Sequence, residues 1–142
     1  MSANYCFPAR IVPNGIGGFK ASFRDVPEAL TEAETMDEVV DMARDALITA
    51  IDFYIETARK FPDPSSPENG EVMIELPPSV IAKVLLLNQM VASHVRQADL
   101  AKKMGVPRQE VSRITDLHHA TKIDTIARAL YALGKRLTLS VN

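Results

Sequence analysis

The stretch from Gln97 to Ile114, QADLAKKMGVPRQEVSRI, constrains the fold of this chain more than any other. Leu100, Ala101 and Met104 recur at helical spacing, and Lys102 and Lys103 fall on the other side. Gly105 stands where a helix ends in a left-handed residue. Pro107 suits the first turn of a following helix, where its missing N–H costs nothing, and Val111 and Ile114 give that helix an inward side. Ala101 is small enough to let two crossing helices approach closely. Two short helices packed crosswise through a tight turn make a helix-turn-helix, which lays its second helix in the DNA major groove. Arg108, Gln109, Ser112 and Arg113 remain on the outward side. Arginine can make paired bonds to guanine and glutamine to adenine, so the set suits base edges. A plain solvated helix is the competing reading.

The 142 residues suffice for one compact domain or two small ones. The formal net charge of -2 hides a division after Pro78. Residues 1–78 carry 6 Lys+Arg against 14 Asp+Glu, a net -8, and residues 79–142 carry 10 against 4, a net +6. A basic half is the minimum needed to neutralise phosphates, which supplies most non-specific DNA affinity. The acidic half faces either water or something basic. The single Cys6 excludes an internal disulfide framework and a multi-cysteine zinc site, and is read as a buried small hydrophobe on a strand. No charged N-terminal region leads into a long apolar run, and no apolar stretch approaches the ~20 residues of a membrane span. A reduced, soluble, cytoplasmic protein is expected.

In the acidic half, Tyr5-Cys6-Phe7 and Ile11-Val12 flank Pro8, which suggests an edge strand because proline cannot donate to a central ladder. Asn14-Gly15-Ile16-Gly17-Gly18 is a turn, and Phe19, Ala21 and Phe23 alternate with Lys20, Ser22 and Arg24, completing a β-hairpin. Residues 29–34 suggest a short third strand. Thr35-Met36-Asp37-Glu38 fits a capping box, and Val39, Ala43, Leu47, Ala50, Ile51 and Tyr54 continue a helical period to about residue 58. Asp37, Asp41, Asp45 and Asp52 line much of its other surface. A proline-rich loop over 61–70 follows, then Val72, Ile74 and Leu76 alternate as a last strand. Hairpin, short strand, helix and strand make an α+β domain. Asp25, Glu28, Glu32, Glu34 and Glu38 could hold magnesium, but no Lys or His stands among them, and an acidic rim facing solvent or a partner is preferred. The glycines lie in a hairpin rather than between a strand and a helix, so they form no phosphate cradle.

In the basic half, Ser79 is a natural N-cap for a helix over 79–93 that is apolar around much of its circumference, and so is buried or shared with a second copy. His118-His119 lacks acidic or thiol partners at ligand spacing and is read as structural or phosphate-proximal. Thr121 and Lys122 offer donors suited to DNA backbone. A further helix over 124–133 buries Ile126, Ala127, Leu130 and Leu133, and Gly134 caps it. Leu137, Leu139 and Val141 then alternate with polar residues, predicting a final short strand. Such a strand has no partner in an all-α domain and is expected to pair with, or pack against, a symmetry mate.

Leu100–Ile114 resembles the helix-turn-helix of phage-repressor-like proteins. The whole chain is similar to the HicB antitoxin family, in the subgroup with that domain at the C-terminus. The likeness is carried by Phe19–Thr31 (FKASFRDVPEALT), Glu34–Val39 (ETMDEV) and Leu117–Asp124 (LHHATKID). The resemblance implies a toxin-neutralising domain over 1–76 with a truncated ribonuclease-H-like fold, and a DNA-binding and dimerisation domain over 77–142. It implies an antitoxin of a type II toxin–antitoxin pair, without catalytic residues, metal or cofactor. Its partner would be a HicA-like toxin that cleaves messenger RNA with a histidine, and the pair would repress its own operon. By motif position Gln97 would hold a phosphate at the start of the first helix, Arg108, Gln109, Ser112 and Arg113 would face bases, and Thr121 and Lys122 would hold backbone. Asp25, Glu28, Glu32 and Glu34 would face the toxin, whose RNA-binding surface must be basic. A dimer or tetramer would meet operator half-sites one helical turn, ~34 Å, apart. Two positions depart from the family pattern: Arg96 replaces a capping Thr, Ser or Asn, and Val26-Pro27-Glu28-Ala29 replaces a Pro-Gly-Cys-like turn. The rival functions are a ligand-responsive repressor without a toxin, and a nuclease acting through the acidic cluster or His118-His119.

Overall fold

Three strands near the N-terminus and one that follows the first helix build an antiparallel sheet from β1 (Cys6–Pro13), β2 (Phe19–Phe23), β3 (Leu30–Ala33) and β4 (Val72–Glu75), in the order β3-β2-β1-β4. The computed structural model describes residues 5–141. Two compact units are present: one takes the chain up to Tyr54 together with Phe61–Pro77, the other Ile55–Lys60 together with Pro78 onward. The first holds the sheet. Ala9 pairs with Phe23 and Ile11 with Ala21 on one side, and Phe7 pairs with Ile74 on the other. These residues therefore share a face, and Phe7, Ala9, Ala21, Phe23 and Ile74 are buried there. Helix α1 (Met36–Glu56) supplies Val39, Ala43, Leu47, Ala50, Ile51 and Tyr54 to the same core. Phe61 joins the two, its ring centroid 5.4 Å from Tyr54 and 5.5 Å from Phe7. Burying each large apolar side chain contributes about 1.5–3 kcal/mol.

The expected edge strand is a correction: β1 is internal. It hands over from one neighbour to the other, pairing Cys6–Ala9 with β4 and Ala9–Pro13 with β2. Pro8 lies opposite Met73 and Pro13 opposite Phe19, so each proline has a ladder partner on one side only, which is how the strand accommodates two missing donors. Cys6 is half-buried on this strand rather than buried. In the hairpin turn Asn14 Oδ1 accepts the N–H groups of Ile16 and Gly18, both at 3.0 Å. Gly18 is obligatory, since a Cβ there would lie 2.5 Å from the Ala33 carbonyl oxygen.

At the start of α1, Thr35 Oγ1 accepts the Glu38 N–H at 3.2 Å. The Glu38 carboxylate takes the Thr35 hydroxyl, at 2.9 Å, where a full capping box would have it take a backbone N–H. The helix ends at Glu56, two residues early, and Ala58 turns out of it at φ 56°.

The second unit is built from α2 (Pro78–Ser93), α3 (Gln97–Met104), α4 (Arg108–Thr115) and α5 (Ile123–Ala132). Helix α2 opens on Pro78, so Ser79 lies inside its first turn instead of capping it. Its buried residues, including Val80, Val84, Leu86, Leu87 and Met90, lie around most of the helix. In α5 the fully buried residues are Ile126, Ala129 and Leu130, whereas Ala127 and Leu133 are half-buried. Gly134, at φ 79°, ends α5 with its N–H on the Tyr131 carbonyl at 2.9 Å. The final strand expected over 137–141 is absent from the single chain: those residues join no ladder, and Leu139 and Val141 are exposed. A strand is defined by its neighbour, and one chain offers none there.

Candidate functional site

The loop between α3 and α4 is made by a left-handed glycine. Gly105, at φ 69°, lets the Val106 N–H reach the Ala101 carbonyl at 3.0 Å while its own N–H reaches Lys102 at 3.3 Å, the pairing that satisfies two orphan carbonyls of a helix end. Pro107 is the N-cap of α4 at φ -64°, ψ 148°, one residue earlier than the first-turn position expected for it. Leu100, Ala101, Val111 and Ile114 are buried between the two helices. At the head of α3, the arginine side chain of Arg96 has no acceptor with which to cap. Asp99 compensates, its carboxylate accepting the Arg96 N–H at 3.0 Å.

Gln97 and Ser112 meet. Gln97 Oε1 accepts the Ser112 hydroxyl at 3.0 Å, and Gln97 Nε2 donates to Thr115 Oγ1 at 3.1 Å. Both ends of the glutamine thus brace α3 against α4. Arg108, Gln109 and Arg113 are exposed on α4, with Lys102 and Lys103 exposed on α3. Lys122 is exposed at the N-cap of α5, and the half-buried Thr121 hydroxyl lies 3.3 Å from His119 Nδ1.

One residue of this unit is invisible to motif reading. Lys83, on α2, is only 2% exposed. Its ammonium donates to the carbonyls of Asp116 and His119, both at 2.6 Å, and of Arg113 at 3.2 Å. An ammonium has three protons, and all three close the C-terminal end of α4 and the turn after it. Burial lowers its pKa below the ordinary lysine value, and the Asp116 charge works in the opposite direction. The available signal was a lone charge in the apolar run Val80–Leu87.

In the first unit three of the four acidic candidates, Asp25, Glu28 and Glu32, accept hydrogen bonds from side chains distant in sequence. Asp25 accepts the Ser65 N–H at 2.8 Å and the Ser65 hydroxyl, fastening the proline-rich loop to the β2–β3 turn. Arg24 reinforces that fastening through two bonds to Glu71, at 2.9 and 3.0 Å, and one to the Ser66 carbonyl. Glu28 accepts the Tyr54 hydroxyl at 2.6 Å, and Glu32 accepts from Asn14 at 3.2 Å. Glu34 is exposed beyond the end of β3. Among the described residues no three His, Cys, Asp or Glu side chains converge as metal ligands, and no helix is long and apolar enough to cross a membrane.

Residues 6–85, which include the whole sheet and α1, match the family model described as HicB_like antitoxin of bacterial toxin-antitoxin system. The chain belongs to the HicB-like antitoxin family. Curated relatives extend the likeness past that segment. Antitoxin HicB of Escherichia coli strain K12 is 47% identical over 133 residues, 94% of this chain and 96% of that protein. Antitoxin HicB 2 of Photorhabdus laumondii is 48% identical over 139 residues, 98% of each. Antitoxin HicB of Pseudomonas fluorescens Pf0-1 is 36% identical over 126 residues, 88% of this chain and 86% of its own. At 94% and 98% of this chain, the Escherichia coli and Photorhabdus matches reach well past the family segment, through α3, α4 and α5.

Proposed function

We propose that this chain is the non-enzymatic antitoxin of a type II pair, that it binds and silences a HicA-like ribonuclease toxin, and that it represses its own operon. In this reading residues 1–76 are the toxin-neutralising domain, a truncated ribonuclease-H-like fold. Residues 77–142 are a helix-turn-helix domain for DNA binding and dimerisation, acting in the cytoplasm without a cofactor. One observation carries the DNA half: α4 buries Val111 and Ile114 while Arg108, Gln109 and Arg113 stand exposed together. Arg108, Gln109 and Arg113 read bases. Ser112 faces bases beside them, Gln97 holds a phosphate at the start of α3, and Thr121 and Lys122 hold backbone.

The toxin half rests on charge. An mRNA-cleaving protein must present a basic surface, and the acidic unit complements it, speeding encounter and excluding RNA. The test is a titration of the chain on DNA from upstream of its own gene. Arg113→Ala should weaken specific binding by about 1–3 kcal/mol and leave non-specific binding nearly unchanged. Equal affinity of the variant and the parent for that site would refute the assignment of α4.

A further inference from the structure

We propose that the toxin adds a strand to β3 and seats it on a second apolar stripe of α1. The inference rests on the toxin-binding reading above and names its surface.

Strand β3 is one of the two outer strands of the sheet, the other being β4, and is paired with β2 on one side only. The register places Thr31 opposite Ala21 and Ala33 opposite Phe19, so these two half-buried residues face the side of the sheet that α1 covers. Besides its buried face α1 carries Met42, Ala46, Thr49 and Phe53, spaced i, i+4, i+7 and i+11, which places them on one further stripe. Met42 is 45% and Phe53 47% exposed. Between this stripe and β3 lies a groove of about 540 Å³, bordered by Glu28 and Thr31 on the strand side. A fifth strand hydrogen-bonded to β3 would lay its inward side chains on that stripe, the usual geometry of recognition by strand addition.

Charge selects the occupant. Glu28, Glu32 and Glu34 flank the open edge, and Asp45 lies in the groove. Two copies of this edge would bring those carboxylates together, so the charges oppose self-pairing. A strand rich in Lys and Arg is attracted by the same groups. The net -8 of residues 1–78 extends the complementarity beyond the groove.

The experiment uses the full chain and the small basic toxin encoded in the adjoining reading frame. Met42→Arg with Phe53→Arg, both at exposed positions, should weaken toxin binding by about 100-fold or more while leaving the circular dichroism spectrum and operator affinity unchanged. In the parent complex the backbone amides of Leu30–Ala33 should gain hydrogen-exchange protection. If the parent binds toxin but the double variant binds equally well, or β3 gains no protection, the docking site is wrong and the antitoxin reading stands. If the parent binds no toxin, that reading falls and the inference with it. Protection of β3 that rises with the concentration of the chain alone would assign the edge to a second copy and overturn the choice of occupant.

Discussion

Replacing Lys83 by methionine keeps the apolar stem and removes the ammonium. The structure fixes what is lost: three bonds, to the carbonyls of Arg113, Asp116 and His119, at the end of α4 and in the turn after it. Bonds to a charged donor contribute about 1.5–3 kcal/mol each in net terms. Two effects reduce the total. Removing the charge relieves its desolvation, and Arg113, Asp116 and His119 belong to exposed residues whose carbonyls can regain some water. A net loss of about 2–4 kcal/mol remains, enough to lower the Tm of a small domain by on the order of 10–25 °C. Arg113→Ala is the matched control. It deletes an exposed side chain and keeps the backbone carbonyl, so its stability should change by less than about 0.5 kcal/mol. Thermal unfolding followed by circular dichroism, supported by denaturant titration, measures both. A Lys83→Met protein as stable as the parent would refute the claim that this ammonium holds the helix end.

Gly18→Ala should destabilise the first unit by about 1–3 kcal/mol, because the new methyl would meet the Ala33 carbonyl oxygen at 2.5 Å; an unaltered denaturation midpoint would contradict this. The Arg24 bonds lower the Glu71 pKa from its ordinary 4.5, so its contribution is present above that value and disappears as pH falls through the lower folded value. Glu71→Gln should therefore flatten the acid limb of a stability–pH curve, and parallel limbs would exclude the coupling. Deleting residues 135–142 should weaken self-association measured by sedimentation if Leu137, Leu139 and Val141 complete a ladder with a second copy. A truncated protein that remains fully dimeric would rule that pairing out.

What could be read from sequence was local. The 97–104 helix, the left-handed Gly105 and the buried Leu100, Val111 and Ile114 follow from periodicity and from glycine's freedom at positive φ, and all are in the structure. What could not be read depends on distant partners. Pro8 argued for an edge, yet β1 is internal because its two neighbours each cover a different half of it. Nothing local to Asp25 signals that it accepts from Ser65, 40 residues away. Nor does anything local to Gln97 signal that it bonds Ser112 and Thr115 of the next helix. The Met42–Phe53 stripe was present in the helical period but obscured by the neighbouring aspartates. The last strand shows the limit of alternation, which marks a segment able to pair without supplying a neighbour.

A hydroxyl-radical footprint of the full chain on DNA upstream of its own gene tests most directly whether α4 reads bases. Protection of two half-sites about one helical turn apart, abolished when Arg108, Gln109 and Arg113 are all replaced by alanine, is the predicted result. An unprotected DNA, or a footprint that survives the triple replacement, would contradict it.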